Sequence, residues 1–472
     1  MTKKVIALFL LIILLTGCSL KKDKFVLVTE AGFAPYEYYE DGKITGIDIE
    51  IGQKIADELD MELVIKDVAF DSIINEVKTE KSDLGAAGIS YTEERAKEVD
   101  FTVNYMESRQ VIIIKKDSTI NNPDDLVNKK VAVQLGSVAD SFLTESYSNT
   151  YLIREKKFLA AIQDLKDNKV DAVVMDEIPA KNLINDEMII LDSPVVVDSY
   201  GMIVKKGNTK VLNAANKVIE EMKQNGEIEE LVLKHEGVKK ESTSNSIVDK
   251  FYNSTIRGGR YKYILTGLRN TLLIALGAVI LGVIIGSATS IIRNIHGNTG
   301  KLKILNKIAK AYVTIIRGTP VILQLMIIYY VIFKQTDINI VLVGIMAFGI
   351  NSGAYVSEII RAGINSVDKG EIEAGYALGL RYKNVMTKIV MPEALKNILP
   401  ALGNEFITLV KETSVGAYIG IIELTKASDI IASRTYDYFF PLILIAIIYL
   451  IITLVLTKLI NMLEVKLNHA RS

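Results

Sequence analysis

From Asn270 to Ile292 the chain runs for about 23 residues without a charged side chain, long enough as a helix to cross ~30 Å of hydrocarbon. Nothing else in the sequence restricts the fold as hard, because a bilayer interior admits only backbone that satisfies its own hydrogen bonds. Similar runs cover Gly318–Phe333, Ile338–Ser357 and Tyr438–Thr457. A fifth, Asn397–Ile422, is interrupted by Glu405, Lys411 and Glu412, which should face protein or water rather than lipid. Five spans are therefore expected. The segment after the first run carries Arg293, Lys301, Lys303, Lys307 and Lys310. The segment after the third carries Arg361, Lys369, Arg381, Lys383, Lys388 and Lys396, whereas little beyond Lys334 follows the second. Cytoplasmic loops concentrate basic residues, so both basic segments and the C-terminus belong inside and everything before the first span outside.

That preceding half is written differently. Charged residues recur from Lys21 to Lys262, and strand-like runs (Lys24–Thr29, Lys130–Gln134, Asp171–Met175) alternate with helical ones (Asp48–Leu59, Asp71–Glu80, Phe158–Asp167). This is the rhythm of α/β units. Across the whole chain 55 basic residues balance 56 acidic ones, which argues against a nucleic-acid partner. At the start, Lys3 and Lys4 precede the apolar run Val5–Leu15 and then "LTGCSL", a pattern similar to a lipoprotein signal with Cys18 as the lipidated residue. Cys18 is the only cysteine, so no intramolecular disulfide is available. Val238–Ser246 ("VKKESTSNS") reads as a tether, and Tyr252, Tyr261 and Tyr263 suit the outer membrane interface. The expected layout is a signal at 1–18, an extracytoplasmic α/β domain at 19–237, a linker at 238–262 and a helical membrane domain at 263–472.

Between the third and fifth runs lies "EIEAGYALGLRYKNVMTKIVMP", Glu371–Pro392. Asp368 followed by Glu371 suggests a capping box that starts a helix near Lys369, and Gly379 can take the left-handed conformation that ends one. A second helix resumes near Tyr382, with Pro392 expected to discourage its continuation. Glu373, Ala374, Gly375, Gly379 and Pro392 lie within a stretch, about 366–396, that is similar to the EAA loop of ABC importer permeases. The resemblance implies a loop that docks on a separate ABC ATP-binding subunit. "GLRNTL" at the first span, "RGTP" at Arg317–Pro320, "NSGAYVSEIIRAGI" at Asn351–Ile364 and "NEFITLVKETS" at Asn404–Ser414 resemble polar amino-acid permeases. Gly375 departs from the pattern, which usually has alanine there; glycine costs the helix up to ~1 kcal/mol but permits closer backbone approach.

In the soluble half, "EAGFAPYEY" at Glu30–Tyr38, "GIDIEIGQKIADEL" from Gly46, "AFDSII" from Ala69, "DLGAAGISYTEERAKEVDF" from Asp83 and "DAVVMDEIPA" from Asp171 resemble the amino-acid-binding proteins of the periplasmic type. That implies a type II periplasmic-binding-protein fold, crossing to the second lobe near Ile112–Lys115 and returning near Tyr200–Val204, followed by the all-α permease. Arg95 offers the planar, bidentate cation that an α-carboxylate prefers, with an ion pair to Glu94 or Glu98 as the plainer alternative. Ser90, the backbone near Gly88, and Gln134 with Ser137 would add polar contacts, and Asp176 would accept from the α-ammonium. By resemblance Phe33 and Phe70 flank the ligand side chain and Glu30 lies near its tip. A carboxylate buried without a partner favours a cation, which points to a basic amino acid ahead of glutamine.

The implied assembly is a homodimer of this chain with two copies of the ATP-binding subunit, transporting a small L-amino acid across the plasma membrane of a bacterium. No phosphate-binding loop G-x-x-x-x-G-K-[ST] occurs, so the chain is not expected to be an enzyme in its own right, and no cofactor is implied. His235, His296 and His469 are isolated and read as surface histidines, with no metal site. A ligand-gated channel with an amino-acid-binding domain is the alternative; it lacks support because the binding half is complete before the spans begin and no T-V-G-Y-G filter occurs. A dehydratase on the same fold would not need the spans.

Overall fold

The computed structural model describes residues 23–40, 43–235, 246–334, 338–435 and 437–469. The signal at 1–18 with Cys18, and most of the tether, lie outside the described residues.

Two sheets build the α/β half. The first has the order β4-β1-β5-β13-β6, from β1 (Lys24–Thr29), β4 (Glu62–Asp67), β5 (Leu84–Gly85), β6 (Val99–Phe101) and β13 (Ile203–Lys205). The second has the order β11-β7-β10-β8-β9, from β7 (Met106–Lys115), β8 (Lys130–Gln134), β9 (Tyr151–Glu155), β10 (Ala172–Asp176) and β11 (Met188–Ile190), with β12 (Val196–Tyr200) also on β7. A small hairpin joins β2 (Tyr38–Glu40) to β3 (Lys43–Thr45). The central strands are apolar on both faces, as parallel strands covered by helices must be: Phe25, Leu27 and Val28 in β1, Val173 and Val174 in β10 are fully buried. The chain leaves the first lobe at 102–105 and returns at 201–202, where Tyr105 N–H donates to the Tyr200 carbonyl at 3.0 Å. Ile112–Lys115, expected as the crossing, is instead the far end of β7 inside lobe two. Lobe one thus holds the first sheet and lobe two the second.

The membrane half is helical, but the five expected spans are not equivalent. Tyr261–Thr299, Ile340–Asn365 and Phe439–His469 are helices of 39, 26 and 31 residues. Among the described residues these are the three long and apolar enough to cross a membrane. The run Gly318–Phe333 does not form its own straight span. Lys303–Arg317, expected as a basic loop, is an amphipathic helix, and the apolar helix after it turns by 111° at the break before Val321. Pro320 causes the break, since it cannot donate to the preceding turn. The charged fifth segment is the helix Met391–Glu412 followed by a short 3₁₀ stretch, and its Glu405 accepts from Ser352 Oγ at 2.7 Å. The two most closely packed helices, Tyr261–Thr299 and Ile340–Asn365, approach through small residues. A Cβ on Gly286 would lie 2.7 Å from Val356 Cβ, and one on Gly349 would lie 2.7 Å from Leu281 Cδ2.

The long helix, about 58 Å at 1.5 Å per residue, separates two ends of the molecule. Tyr263 near its start stacks edge-on against Tyr39 of lobe one at 5.8 Å. Near its end Asn294 and Asn298 meet Tyr382 of the EAA-like loop.

Candidate amino-acid site and docking loop

All nine residues expected around a ligand line one cavity between the lobes: Glu30, Phe33, Phe70, Gly88, Ser90 and Arg95 from lobe one, Gln134, Ser137 and Asp176 from lobe two. Glu37, Gln110 and Phe158 also line it.

Arg95 sits early in the short helix Glu93–Glu98, whose cap Thr92 accepts from Arg95 N–H at 3.1 Å. That turn aims the guanidinium at the cleft rather than at Glu94 or Glu98. It donates to the Ser90 carbonyl at 2.7 Å and, across the cleft, to the Gly136 carbonyl at 2.8 Å. Its carbon lies 5.8 Å from the Phe70 ring centre, a cation–π distance, so Phe70 carries Arg95 from beneath. Phe33 stacks instead on Phe158 of lobe two, with centres 5.5 Å apart and planes 25° apart. Gly88 allows Phe33 this position, because a Cβ there would fall 2.7 Å from the ring.

Asp176 ends β10 and caps nothing; its oxygen accepts from Ser108 Oγ at 2.6 Å, from Gln110 Nε2 at 2.7 Å and from the Tyr200 hydroxyl. Burial, reinforced by neighbouring Asp198, pushes its pKa up to about 6 against the pull of those hydrogen bonds. Burial also pushes Glu37 well above the carboxylate range, with Asp48 and Glu30 adding to the effect. Arg95 is held below its usual value by burial, opposed by Asp198 and Asp176. Gln134 donates to the Lys156 carbonyl at 3.0 Å, and Ser137 caps the helix Val138–Ser146 by accepting from Asp140 N–H.

Glu30 does not match its expectation of a carboxylate without a partner. Lys157 of lobe two reaches it at 3.0 Å, closing the cleft with an ion pair, and Asn182 adds an interlobe hydrogen bond to the Ala34 carbonyl at 3.2 Å. Burial raises the Glu30 pKa while Lys157 opposes it. Lys157 gave no sequence signal, being one lysine of "REKKF". His235 is likewise not at the surface: it is buried between Tyr38 Oη at 2.9 Å and Glu50 at 2.6 Å. His296 Nδ1 meets the Lys301 carbonyl at 2.8 Å, and the His469 side chain lies outside the described residues.

In the EAA-like loop the first helix is Lys369–Ala377, capped by Asp368 through Gly370 N–H at 2.6 Å without the reciprocal Glu371 bond of a capping box. Gly379 has φ +77°, as its place after the helix requires. Gly375 faces inward, where a Cβ would lie 2.6 Å from Ile389 Cδ1, so glycine lets the two short helices close on each other. Glu373 and Ala374 are exposed, and Leu378 is 80% exposed at the tip. Pro392 does not end the second helix. The chain passes from Tyr382–Val385 through a π turn, Met386–Val390, directly into Met391–Glu412 with Pro392 in its first turn. The wider turn makes room for a residue without an N–H.

Comparison with known proteins bears on both halves. Residues 25–238 match the bacterial extracellular solute-binding proteins, family 3, and residues 278–469 match the binding-protein-dependent transport system inner membrane component. Over 207 residues the chain is 38% identical to a putative glutamine transport system permease of Rickettsia prowazekii (strain Madrid E), covering 43% of this chain and 93% of that protein. It is 40% identical to an arginine transport system permease of Bacillus subtilis (strain 168), covering 41% of this chain and 88% of that one. Solved structures that align with the chain include a substrate-binding protein of an amino acid ABC transporter, at 36% identity and TM-score 0.43, covering 45% of this chain and 98% of that one. Another is an amino acid ABC transporter substrate-binding protein of Streptococcus pneumoniae bound to L-arginine, at 35% identity and TM-score 0.43, covering 45% and 94%. The chain belongs to the amino-acid ABC transporter permeases, and it carries a solute-binding domain and the membrane component in one polypeptide.

Proposed function

We propose that this chain captures a polar L-amino acid outside the cell, between its two lobes, and passes it through its helical half, driven by a separate ATP-binding subunit. One observation carries the reading: Arg95 and Asp176 face a single cavity from opposite lobes, one fixed charge for each charge of an α-amino acid. The guanidinium and the amides at Ser137, which begins a helix, suit the carboxylate. Asp176 suits the ammonium. The EAA-like loop supports the docking role, with Glu373, Leu378 and Gly379 exposed at its tip. Two copies of the chain and two of the ATP-binding subunit make the working assembly.

For the side chain, Lys157 changes the electrostatic argument. A carboxylate already paired at 3.0 Å no longer demands a cation. A guanidinium would have to displace Lys157, whereas a carboxamide can accept from Lys157 and donate to Glu30 together. The geometry therefore favours glutamine, with a basic amino acid second. Calorimetry on the purified full chain tests this. Wild type should bind glutamine, and Lys157→Met should weaken glutamine by about tenfold or more, ~1.4 kcal/mol, while improving arginine. Wild-type protein that binds arginine tightly and ignores glutamine sinks the carboxamide reading. Failure to bind any amino acid sinks the whole proposal.

A further inference from the structure

Both lobes touch the helical half, and both place lysines over its tyrosine rings, but lobe one adds a buried ion pair. In lobe one Asp67, at the end of β4, pairs with Lys426 at 2.8 Å; their side chains are 6% and 4% exposed. Asp67 also accepts from Ala31 N–H at 3.1 Å and from Tyr39 Oη at 2.8 Å, so its oxygens are fully engaged. Around this pair Ala31, Tyr39 and Ile430 form a buried apolar cluster, with Tyr263 and Ile422 packed against it. A second hold lies at the bent helix: Lys66 and Lys81 stand over the Tyr329 ring at 4.7 and 4.9 Å, and Lys81 donates to the Phe333 carbonyl.

Among the described residues, lobe two makes no comparable buried ion pair with the helical half. Lys156 stands over the Tyr418 ring at 3.8 Å, and Lys157 faces Asp429 across an interface cavity of about 400 Å³. Lys157 is the same residue that reaches across the cleft to Glu30. The chain of charges therefore runs from the ligand cavity, through Glu30 and Lys157, to the permease surface at Asp429. Burial works against the Lys157 charge, and Glu30, Asp429 and Asp67 together outweigh it.

We propose that the permease holds the two lobes unequally. Lobe one is a fixed anchor, joined through Asp67–Lys426 and its apolar surround. Lobe two is the moving part, and its closure is read at the permease as the arrival of Lys156 on Tyr418 and of Lys157 opposite Asp429. The inference rests on the proposed function, in that the closure is around an amino acid. Its physical basis is that a desolvated, fully bonded ion pair inside an apolar cluster does not exchange with water cheaply, whereas ammoniums at a roomy cavity do. Lobe one would then stay on the membrane domain throughout the cycle, and only lobe two would swing.

The test uses the full chain with its ATP-binding partner in lipid nanodiscs, on a Cys18→Ser background. Spin labels at exposed Tyr261 of the permease are paired with labels at exposed Glu62 of lobe one or exposed Tyr151 of lobe two. Adding glutamine or arginine should leave the lobe-one distance unchanged and shift the lobe-two distance. Both distances shifting together, or neither while calorimetry records binding, overturns the anchor. Absence of binding by any amino acid overturns the proposed function and this inference with it. Independently, Asp429→Asn should leave amino-acid affinity within about twofold yet cut amino-acid stimulation of ATP hydrolysis by about tenfold, with Asp429→Glu restoring it. Unchanged stimulation in Asp429→Asn refutes the sensing role. Asp67→Lys and Lys426→Asp should each shift the lobe-one distance, and the double exchange should bring it back.

Discussion

The cavity places a fixed charge on each lobe, Arg95 on one and Asp176 on the other, and both make predictions. Removing Arg95 leaves the Gly136 carbonyl without its cross-cleft donor and a bound carboxylate without its cation. Arg95→Ala and Asp176→Ala should each abolish measurable amino-acid binding, a loss of several kcal/mol, while the circular dichroism spectrum stays native. Asp176 also sets a pH dependence. Its pKa is pushed up to about 6 by burial, and only the ionised form pairs with an ammonium. Below about pH 6 binding must first expel a proton, so affinity should fall by up to about tenfold per pH unit. A flat affinity between pH 7 and 5 contradicts the pairing. Much of this site was legible as residue types in order along the chain, because an α-amino acid always presents the same two charges. Gln110 and Phe158 as walls of the cavity, and Lys157 as the partner of Glu30, were not legible, since each takes that place only when lobe two lies against lobe one.

At the scale of elements, the EAA-like loop shows what a short sequence can and cannot state. Gly379 was readable from the left-handed conformation needed after a helix, and the structure gives it φ +77°. That Gly375 permits a close approach was readable from its missing side chain, but that Ile389 and Val385 are what fold back against it was not. Gly375→Val should force the two short helices apart and reduce amino-acid-stimulated ATP hydrolysis by the partner, with ligand affinity unchanged. Glu373→Lys, at an exposed position, should do the same through charge alone. Normal stimulation in both variants removes this loop from the coupling path. Pro392 was misread for a local reason: a π turn absorbs a proline that an ordinary turn would reject. In the long helices, Gly286→Leu should separate two helices that now touch at a glycine, lowering the melting temperature in detergent.

Across the whole molecule, the interface between the halves shuts one charge pair, Asp67 and Lys426, away from solvent. Lys426→Met leaves Asp67 buried without its cation and should destabilise the protein by ~3 kcal/mol in thermal unfolding. Lys250→Met removes an ion pair at 3.7 Å that is far more exposed, and should cost under about 1 kcal/mol. Equal effects of the two would mean that the Asp67 contact is not held as described. By itself the sequence determined the order of the two halves, the fold of each, and the family of both. Those follow from hydropathy over long windows and from motifs within single elements, which are local properties of the chain. Only the tertiary structure decided that Glu30 has a partner, that the second apolar run leaves the helix before it at 111°, and that Asp67 meets Lys426. Each of these depends on residues far apart in sequence, brought together by packing, and pairwise proximity of that kind leaves no mark on either segment alone.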